Sequence, residues 1–430
     1  MQLSLPQLHQ KLMDLRRQHG DGVETAAIKA MIRAHLPVVN TSQTPPHRKT
    51  LEGKTQVLHM NYMHSQTDVA GTTELEYLRF FAETLATLGG RLEIVTHSSC
   101  REEIEQELAK EIYQALDFVV NISENPVSKW AEDSVEYLQN GQMAVLQLFD
   151  TDLLESAMKA GRRDRWHGKM SPERLEDILR DDHLWILLGL RVNELKTGLD
   201  LADVAQAKGK QVGRIRAYIE GGNMIAGEDG AGMPIVLVGK DAIAATAHMY
   251  QLTHDEVRTV ICEDFGLDRI EQVIAVEQPG KFHLDMGLLF LGQGQVIVND
   301  SKAALKDALE MAELVPSETM EKMATKLTLQ CSLEDDAAQD LQAAGLEVRR
   351  EKLENNGFYN FFNGEFVVGA DGLDYYITNG SFKDNQDAFQ TLMVEELKVV
   401  EKVFFSPQAI AQKSLQERGG VGCRLKGSSL

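Results

Sequence analysis

Cysteine is scarce in this chain, and the few present are scattered. Cys100, Cys262, Cys331 and Cys423 lie far apart, and no two stand at C-x-x-C spacing. That pattern argues against a disulfide framework and against a zinc ligand set, and it fits a reducing compartment, so a cytoplasmic location is expected. No run of about 18 apolar residues occurs, so no membrane-spanning helix is expected. The opening stretch MQLSLPQLHQKLMDLRRQHG lacks the apolar core of a signal peptide. Positive charge is also short: 44 Lys and Arg stand against 65 Asp and Glu, a formal net charge of −21. A protein of that sign is not expected to seek nucleic acid or an anionic membrane, and it is compatible with a cationic ligand.

The 430 residues are enough for a large core, in one big domain or two to three smaller ones. Leu, Met and Ile recur at helical spacing over residues 4–36, with a break at Gly20 and Gly22, which predicts two helices. Residues 37–54 contain Thr41-Ser42-Gln43-Thr44-Pro45-Pro46 and read as a linker. Residues 1–54 are therefore expected to be a helical extension, and 55–430 the main domain.

From Gln56 the pattern alternates, which places the fold in the α/β class. A strand over Val57–Met63 is followed by a helix (Glu74–Leu88), a strand (Arg91–His97), a helix (Glu102–Leu116) and a strand (Phe118–Ile122). Strand pairs followed by a helix then recur. Ala217–Ile225 and Pro234–Val238 precede Ala242–Tyr250. His283–Phe290 and Gln295–Val298 precede Ala303–Leu314. Phe358–Phe362 and Glu365–Val368 precede Asp387–Val403. The similarity between copies is faint, but the order suggests a repeated strand–strand–helix–strand unit. Residues 151–208 are charged, helical and free of strand patterns. They read as an insertion, either a lid or, the reading favoured, a packed appendage.

Five polar positions fall at the ends of these strands: Asp133 after Trp130-Ala131-Glu132, Glu220 opening Glu220-Gly221-Gly222-Asn223, the pair His283 and Asp285, and Cys423 after Gly419-Gly420-Val421-Gly422. Residues two apart on a strand share a face, so His283 and Asp285 are expected to point into one pocket. Carboxylates suit a planar cation with several N–H donors. A thiolate attacks an electrophilic carbon, and an imidazole moves protons. Each position also has a plainer reading: a loop or cap residue for Asp133, a turn for Glu220, a solvated strand face for His283 and Asp285, and a small buried hydrophobe for Cys423.

Taken in order, WAED, EGGNMI, KFHLDMG and GGVGC resemble the pentein, or guanidino-group-modifying, superfamily over about residues 55–430. That superfamily includes agmatine, arginine and peptidylarginine deiminases, dihydrolases and amidinotransferases. The resemblance implies a five-bladed pseudo-symmetric α/β propeller of ββαβ units around a central pocket. It implies that Cys423 is the nucleophile and forms a covalent amidino-thioether, and that His283 is the general acid and base. Glu220 would orient His283, and Asp133 and Asp285 would hold the guanidinium, with Trp130 and Asn223 as further substrate contacts. No metal and no organic cofactor is implied.

The implied reaction is deimination, giving a ureido product and ammonia. The substrate is a small guanidino compound or the arginine side chain of a protein, and a homo-oligomer is possible. The subfamily stays open. No Arg precedes Asp133, and Ser134-Val135-Glu136-Tyr137 is similar to the peptidylarginine enzymes, whereas Glu220-Gly-Gly-Asn and Met286 are similar to the agmatine enzymes. Amidinotransferase and dihydrolase chemistry on the same fold, a Cys-His peptidase or amidase, and a non-catalytic binding protein are the alternatives. Arg101, Arg191 and Arg424 are candidates to bind the α-carboxylate of a free arginine.

Overall fold

The chain folds into several small sheets because its apolar runs are short and each is followed by a helix. The structure, a computed structural model, describes residues 44–63, 72–146, 158–161, 163, 183–250, 252–279, 282–315, 317–355, 359–417 and 419–429. The two helices expected over 4–36 and much of the 151–208 insertion lie outside the described residues.

Strands β1 (Val57–Tyr62), β2 (Arg91–His97) and β3 (Asp117–Ser123) run parallel, with helices α1 (Thr72–Leu88) and α2 (Arg101–Leu108) in the connections. A second sheet pairs β4 (Glu136–Tyr137) antiparallel with β5 (Met143–Leu146). The long helix α3 (His183–Ala207) follows, and β6 (Val212–Ile215) returns parallel to β5. The same order repeats in β7 (Met224–Glu228), β8 (Pro234–Gly239), helices α4 (Lys240–Tyr250) and α5 (His254–Asp264), and β9 (Val273–Val276).

It repeats again in β10 (Leu288–Gly292), β11 (Gln295–Asn299), helices α6 (Lys302–Leu314) and α7 (Glu318–Ala343), and β12 (Glu347–Glu351). A two-stranded ribbon of β13 (Glu354–Asn355) and β14 (Tyr359–Asn360) leads to the last copy. That copy holds β15 (Gly364–Val368), β16 (Asp374–Thr378), α8 (Lys383–Thr391) and β17 (Lys402–Phe405). Helix α9 (Gln408–Gln416) and the single turn α10 (Val421–Arg424) end in β18 (Leu425–Ser428), which pairs antiparallel with β1. The end of the chain thereby supplies the first sheet with the antiparallel strand that every other unit takes from its own sequence. Among the described residues no sheet closes on itself.

Apolar strand faces pack on their own helices, as in the cluster of Leu58, Met60, Leu78, Phe81, Leu92 and Ile94. Because most strands are covered on both sides, they read as continuous apolar runs.

Four expected elements differ. The strand expected over Ala217–Ile225 begins only at Met224, because Gly221–Asn223 form a 3₁₀ turn, and the helix expected over Glu102–Leu116 stops at Leu108, with a separate 3₁₀ turn at Glu111–Tyr113. The strand expected over His283–Phe290 begins only at Leu288, because Leu284–Met286 coil into a 3₁₀ turn closed by the Gly287 N–H donating to the Leu284 carbonyl. Leu284 is drawn into an apolar cluster with Ile225, Leu237 and Val298, which fixes that turn. The helix expected over Asp387–Val403 runs over Lys383–Thr391, loosens into a π turn at Leu392–Glu396, and gives way to β17. There Val403 and Phe405 pack in the cluster of Phe361, Phe366 and Phe389, so tertiary burial overrides the helical spacing.

A strap precedes β1. Pro46 bridges Leu138, the His47 N–H donates to the Tyr137 carbonyl, and the Lys49 N–H donates to the Ala226 carbonyl. Glu52 lies against Gly292, and the Thr55 carbonyl accepts from the Val368 N–H. These twelve or so residues thus touch strands or strand ends from four different sheets before β1 enters a fifth, and they carry Lys49 into the interior.

Candidate active site

Cys423 lies in the α10 turn, which is clamped from three sides. The Val421 N–H donates to Asn379 Oδ1 at 2.9 Å, the Cys423 N–H donates to Asn363 Oδ1 at 3.3 Å, and the Cys423 carbonyl accepts from the Glu132 N–H at 3.3 Å. Its side chain is buried against Trp130, Met286 and Leu415. Asn363 Nδ2 donates to Sγ at 3.2 Å and also binds Asp285 Oδ2.

The glycines of Glu220-Gly-Gly-Asn have a clear packing reason. A Cβ on Gly221 would collide with the Glu132 backbone. One on Gly222 would collide with His283 Nδ1 and stand 2.8 Å from Asp285 Oδ1. The 3₁₀ turn Gly221–Asn223 therefore nests directly on both loops. The Gly222 N–H donates to Asp133 Oδ1 at 3.3 Å. His283 and Asp285 do converge, although the turn at Leu284 and not strand alternation brings them together.

His283 Nε2 is hydrogen-bonded to Glu220 Oε2. Glu220 also accepts from the Tyr218 hydroxyl at 2.5 Å and lies 3.5 Å from Arg191 Nε. Arg191 comes from α3, which lies in the stretch expected to be an insertion between units but serves as the connecting helix between β5 and β6 within the second unit. Its NH1 donates to Glu194 at 2.8 Å and to the Asp133 carbonyl at 3.2 Å. Arg191 is therefore a buried strut behind Glu220.

Of the other arginine candidates, Arg424 is buried against Glu74 at 2.5 Å and Arg101 is exposed beside Glu105. Trp130 packs in one cluster with Cys423 and stacks with Arg424, whose guanidinium carbon is 5.1 Å from the ring centre. Asn223 turns away from the cluster: its Nδ2 donates to Asp241 Oδ1 at 3.0 Å, at the start of α4.

The charges here act strongly on one another because they are buried together. Burial pulls the His283 imidazole down, but Asp133, Cys423 and Glu220 more than offset it, and the proton is held well above the usual histidine range. Burial pushes Glu220 up, yet Arg191 and His283 overcome it and leave the carboxylate more acidic than usual. Burial raises Asp133 despite the opposing pull of His283 and Arg191. Asp285 is raised to about 7 by burial and by Glu132, against the pull of Lys49. The Cys423 thiol is pushed up to about 12 by burial and by Asp285. The buried thiols of Cys262 and Cys331 are likewise raised, to about 11, but only Cys423 has an imidazole alongside.

Three residues of the cluster were not singled out by the sequence motifs: Asn363, Glu132 and Lys49. Lys49 Nζ pairs with Glu132 Oε1 and stands 3.4 Å from Asp285 Oδ2. The only signals were an Asn-Gly dipeptide in Phe362-Asn363-Gly364, a second acid in the Asp133 motif, and a basic residue just ahead of the first strand. The ligand atoms of Glu132, Asp285 and Cys423 lie within 4.8 Å of one another, the spacing of a metal-binding set. The Lys49 ammonium is already among them as a resident cation, so this donor set does not fit a metal.

Asp285 Oδ1, Glu132 Oε2 and His283 Nδ1 are buried without a conventional hydrogen-bond partner among the described residues. Buried polar groups are normally satisfied, so unpaired ones beside a thiol mark a place where ligand donors would sit.

Comparison with solved structures finds the same fold in other proteins. The agmatine deiminase of Enterococcus faecalis matches at a TM-score of 0.51 and 10% identity, covering 90% of this chain and 95% of that one. A protein from Porphyromonas gingivalis assigned as an arginine deiminase matches at 0.52 and 13%, covering 90% and 97%. The chain has the fold of these deiminases. A structural-genomics target assigned as an agmatine deiminase matches at 0.53 and 12%, covering 90% and 96%, so that fold spans nearly the whole chain. No family model and no curated protein sequence matches. No helix among the described residues is long and apolar enough to cross a membrane.

Proposed function

We propose that this protein hydrolyses a guanidino group as a deiminase, through a covalent intermediate on Cys423. The observation that carries the reading is the convergence of Asp133, Glu220, His283, Asp285 and Cys423, from four separate segments, around unpaired buried acceptors. The fold shared with agmatine and arginine deiminases supports it. On this reading the five similar sheet units form a five-bladed propeller with the cluster at its centre, and residues 55–430 are the catalytic domain.

In the proposed sequence, Asp133 and Asp285 hold the guanidinium nitrogens. Entry of the cation stabilises the thiolate, and the thiol proton leaves to solvent. Sγ attacks the central carbon. The adduct collapses as the His283 imidazolium gives its proton to the departing nitrogen, releasing ammonia and leaving an amidino-thioether. Neutral His283 then takes a proton from water, whose oxygen attacks the same carbon. The C–S bond breaks as the adduct's hydroxyl proton passes to the departing sulfur, giving a neutral ureido product and restoring the resting thiol. Glu220, backed by Arg191, keeps the imidazole oriented and favours its charged form.

The two buried arginines considered as carboxylate binders are committed to Glu194 and Glu220, and to Glu74. That supports a substrate without an α-carboxylate. The test is to incubate the protein with agmatine, free arginine and an arginine-containing peptide, and to measure ureido groups and ammonia. One ammonia per ureido group is expected. Two per amine product would mean a dihydrolase, and amidine transfer to an added amine a transferase. Undiminished turnover in Cys423→Ala would overturn the mechanism.

A further inference from the structure

Lys49 is a largely enclosed cation, its side chain 13% exposed, that no catalytic motif contains. The strap delivers it, and the strap touches strands of several sheets before reaching the interior. Its ammonium pairs with Glu132 and stands 3.4 Å from Asp285 Oδ2, while Asp285 Oδ1 is left unpaired beside Gly222 and His283. Asn363 binds the same Oδ2 with the amide nitrogen that also contacts Sγ. One oxygen of Asp285 is thus anchored twice, and the other faces the place where a substrate nitrogen would lie.

We propose that Lys49 is a positioning residue: it anchors Oδ2 so that Asp285 presents a charged Oδ1 to a guanidinium next to Cys423. The proposal rests on the guanidino reading of the site. Physical need supports it. Asp285 is fully enclosed and faces Glu132 from the loop before β4, His283 and the thiol. Around Lys49 lie Glu365 of β15, Glu136 of β4 and Lys426 of β18, the last paired with Glu136 at 2.7 Å. A carboxylate packed against a second carboxylate does not ionise near neutral pH without a cation at hand. Lys426 is committed to Glu136, and Arg191 to Glu194 and Glu220, which leaves Lys49 as the cation bonded to both Glu132 and Asp285. Even with Lys49 in place, Asp285 is held near 7.

The test compares Lys49→Met, which keeps bulk without charge, with Lys49→Arg. One readout is independent of turnover: the rate of Cys423 alkylation by 2-chloroacetamidine, a cation, relative to neutral 2-chloroacetamide, localised by mass spectrometry. Wild type should prefer the amidine. In Lys49→Met that preference should fall about tenfold or more at pH 7, a change equal to one unit in the Asp285 equilibrium. It should return as the pH is raised, and the acid limb of kcat/KM should move up. Lys49→Arg should restore both.

Glu132→Gln removes the repelling neighbour and should move the acid limb down, which keeps the idea testable if Lys49→Met fails to fold. An unchanged preference and acid limb in Lys49→Met would overturn the proposal. So would faster amidine labelling, which would make Lys49 a competitor for Asp285. A wild type that prefers the amidine in a Lys49-dependent way but converts no guanidino compound would sink the deiminase reading and leave this inference standing.

Discussion

Asn363 Nδ2 lies 3.2 Å from Cys423 Sγ and also binds Asp285, so one amide joins the thiol to a neighbouring carboxylate. The contact holds sulfur and carboxylate in fixed relation although their charges would repel. Asn363 is itself fixed: its N–H donates to Asn360 Oδ1 at 3.2 Å, and its carbonyl accepts from Asn379 Nδ2 at 2.9 Å.

Removing that amide should therefore cost turnover more than binding. Asn363→Ala is expected to lower kcat by about 10²-fold, the scale of losing one preorganised donor at a site of developing charge. Asn363→Asp should be worse, since it sets a like charge against Asp285. Steady-state kinetics on both variants check this, with circular dichroism as the folding control.

Gly222→Ala tests the packing of the turn on His283 and Asp285. The added methyl has no space between them and must displace one. Both kcat and KM should deteriorate while the fold survives. A variant with wild-type kinetics would show that the two side chains are not confined as described.

Arg191→Met should uncouple the α3 strut from the site. Glu220 loses its strongest favourable partner and becomes less acidic but stays ionised, so with a nearby cation gone the His283 proton is held more tightly. The alkaline limb of kcat should move to higher pH. Stability should also drop by about 3–5 kcal/mol, as for removal of one partner from a buried ion pair, measured by denaturant unfolding.

Burial raises Cys423 to about 12, so the free enzyme should hold a neutral thiol at pH 7–8. Labelling of Cys423 by neutral iodoacetamide should be slow there and rise steadily towards high pH. A fast plateau below pH 8 would mean that the resting enzyme already carries a thiolate.

Buried acids also set the pH dependence of stability. Asp285, Glu136 and Glu365 are raised to about 7, and Glu194 to about 8, in each case with burial as the largest cause. Between their ordinary range and these values the native state binds more protons than the unfolded chain, so stability falls as pH rises. His283, held above its ordinary value, acts in the same direction above about pH 6.5. His47 and His59 are lowered to about 4 and about 3, mainly by burial, and oppose this only below that point. The melting temperature is expected to fall from pH 6.5 to 8.5, and Glu365→Gln should flatten the slope.

The α/β alternation was legible because strands and helices impose different apolar periods. Val57–Tyr62, Arg91–His97, Pro234–Gly239 and Lys302–Leu314 lie within a residue or two of where those periods put them. The turn at Leu284 was not legible, because its cause is a distant apolar cluster. Asn223 looked like a pocket residue through its place beside Glu220, but a turn sends neighbouring side chains in different directions.

By itself, the sequence determined which groups are chemically available: a thiol among glycines, a His-x-Asp pair, and acids at loop starts. It also set the order of strands and helices, since both follow from residue type and local spacing. Only the tertiary structure decided which groups meet. It placed Asn363 on the thiol, Arg191 behind Glu220 and Lys49 between Glu132 and Asp285. Those partners are 60, 29, 83 and 236 residues apart, and such contacts are selected by burial and charge balance in the folded interior, to which local sequence spacing is blind.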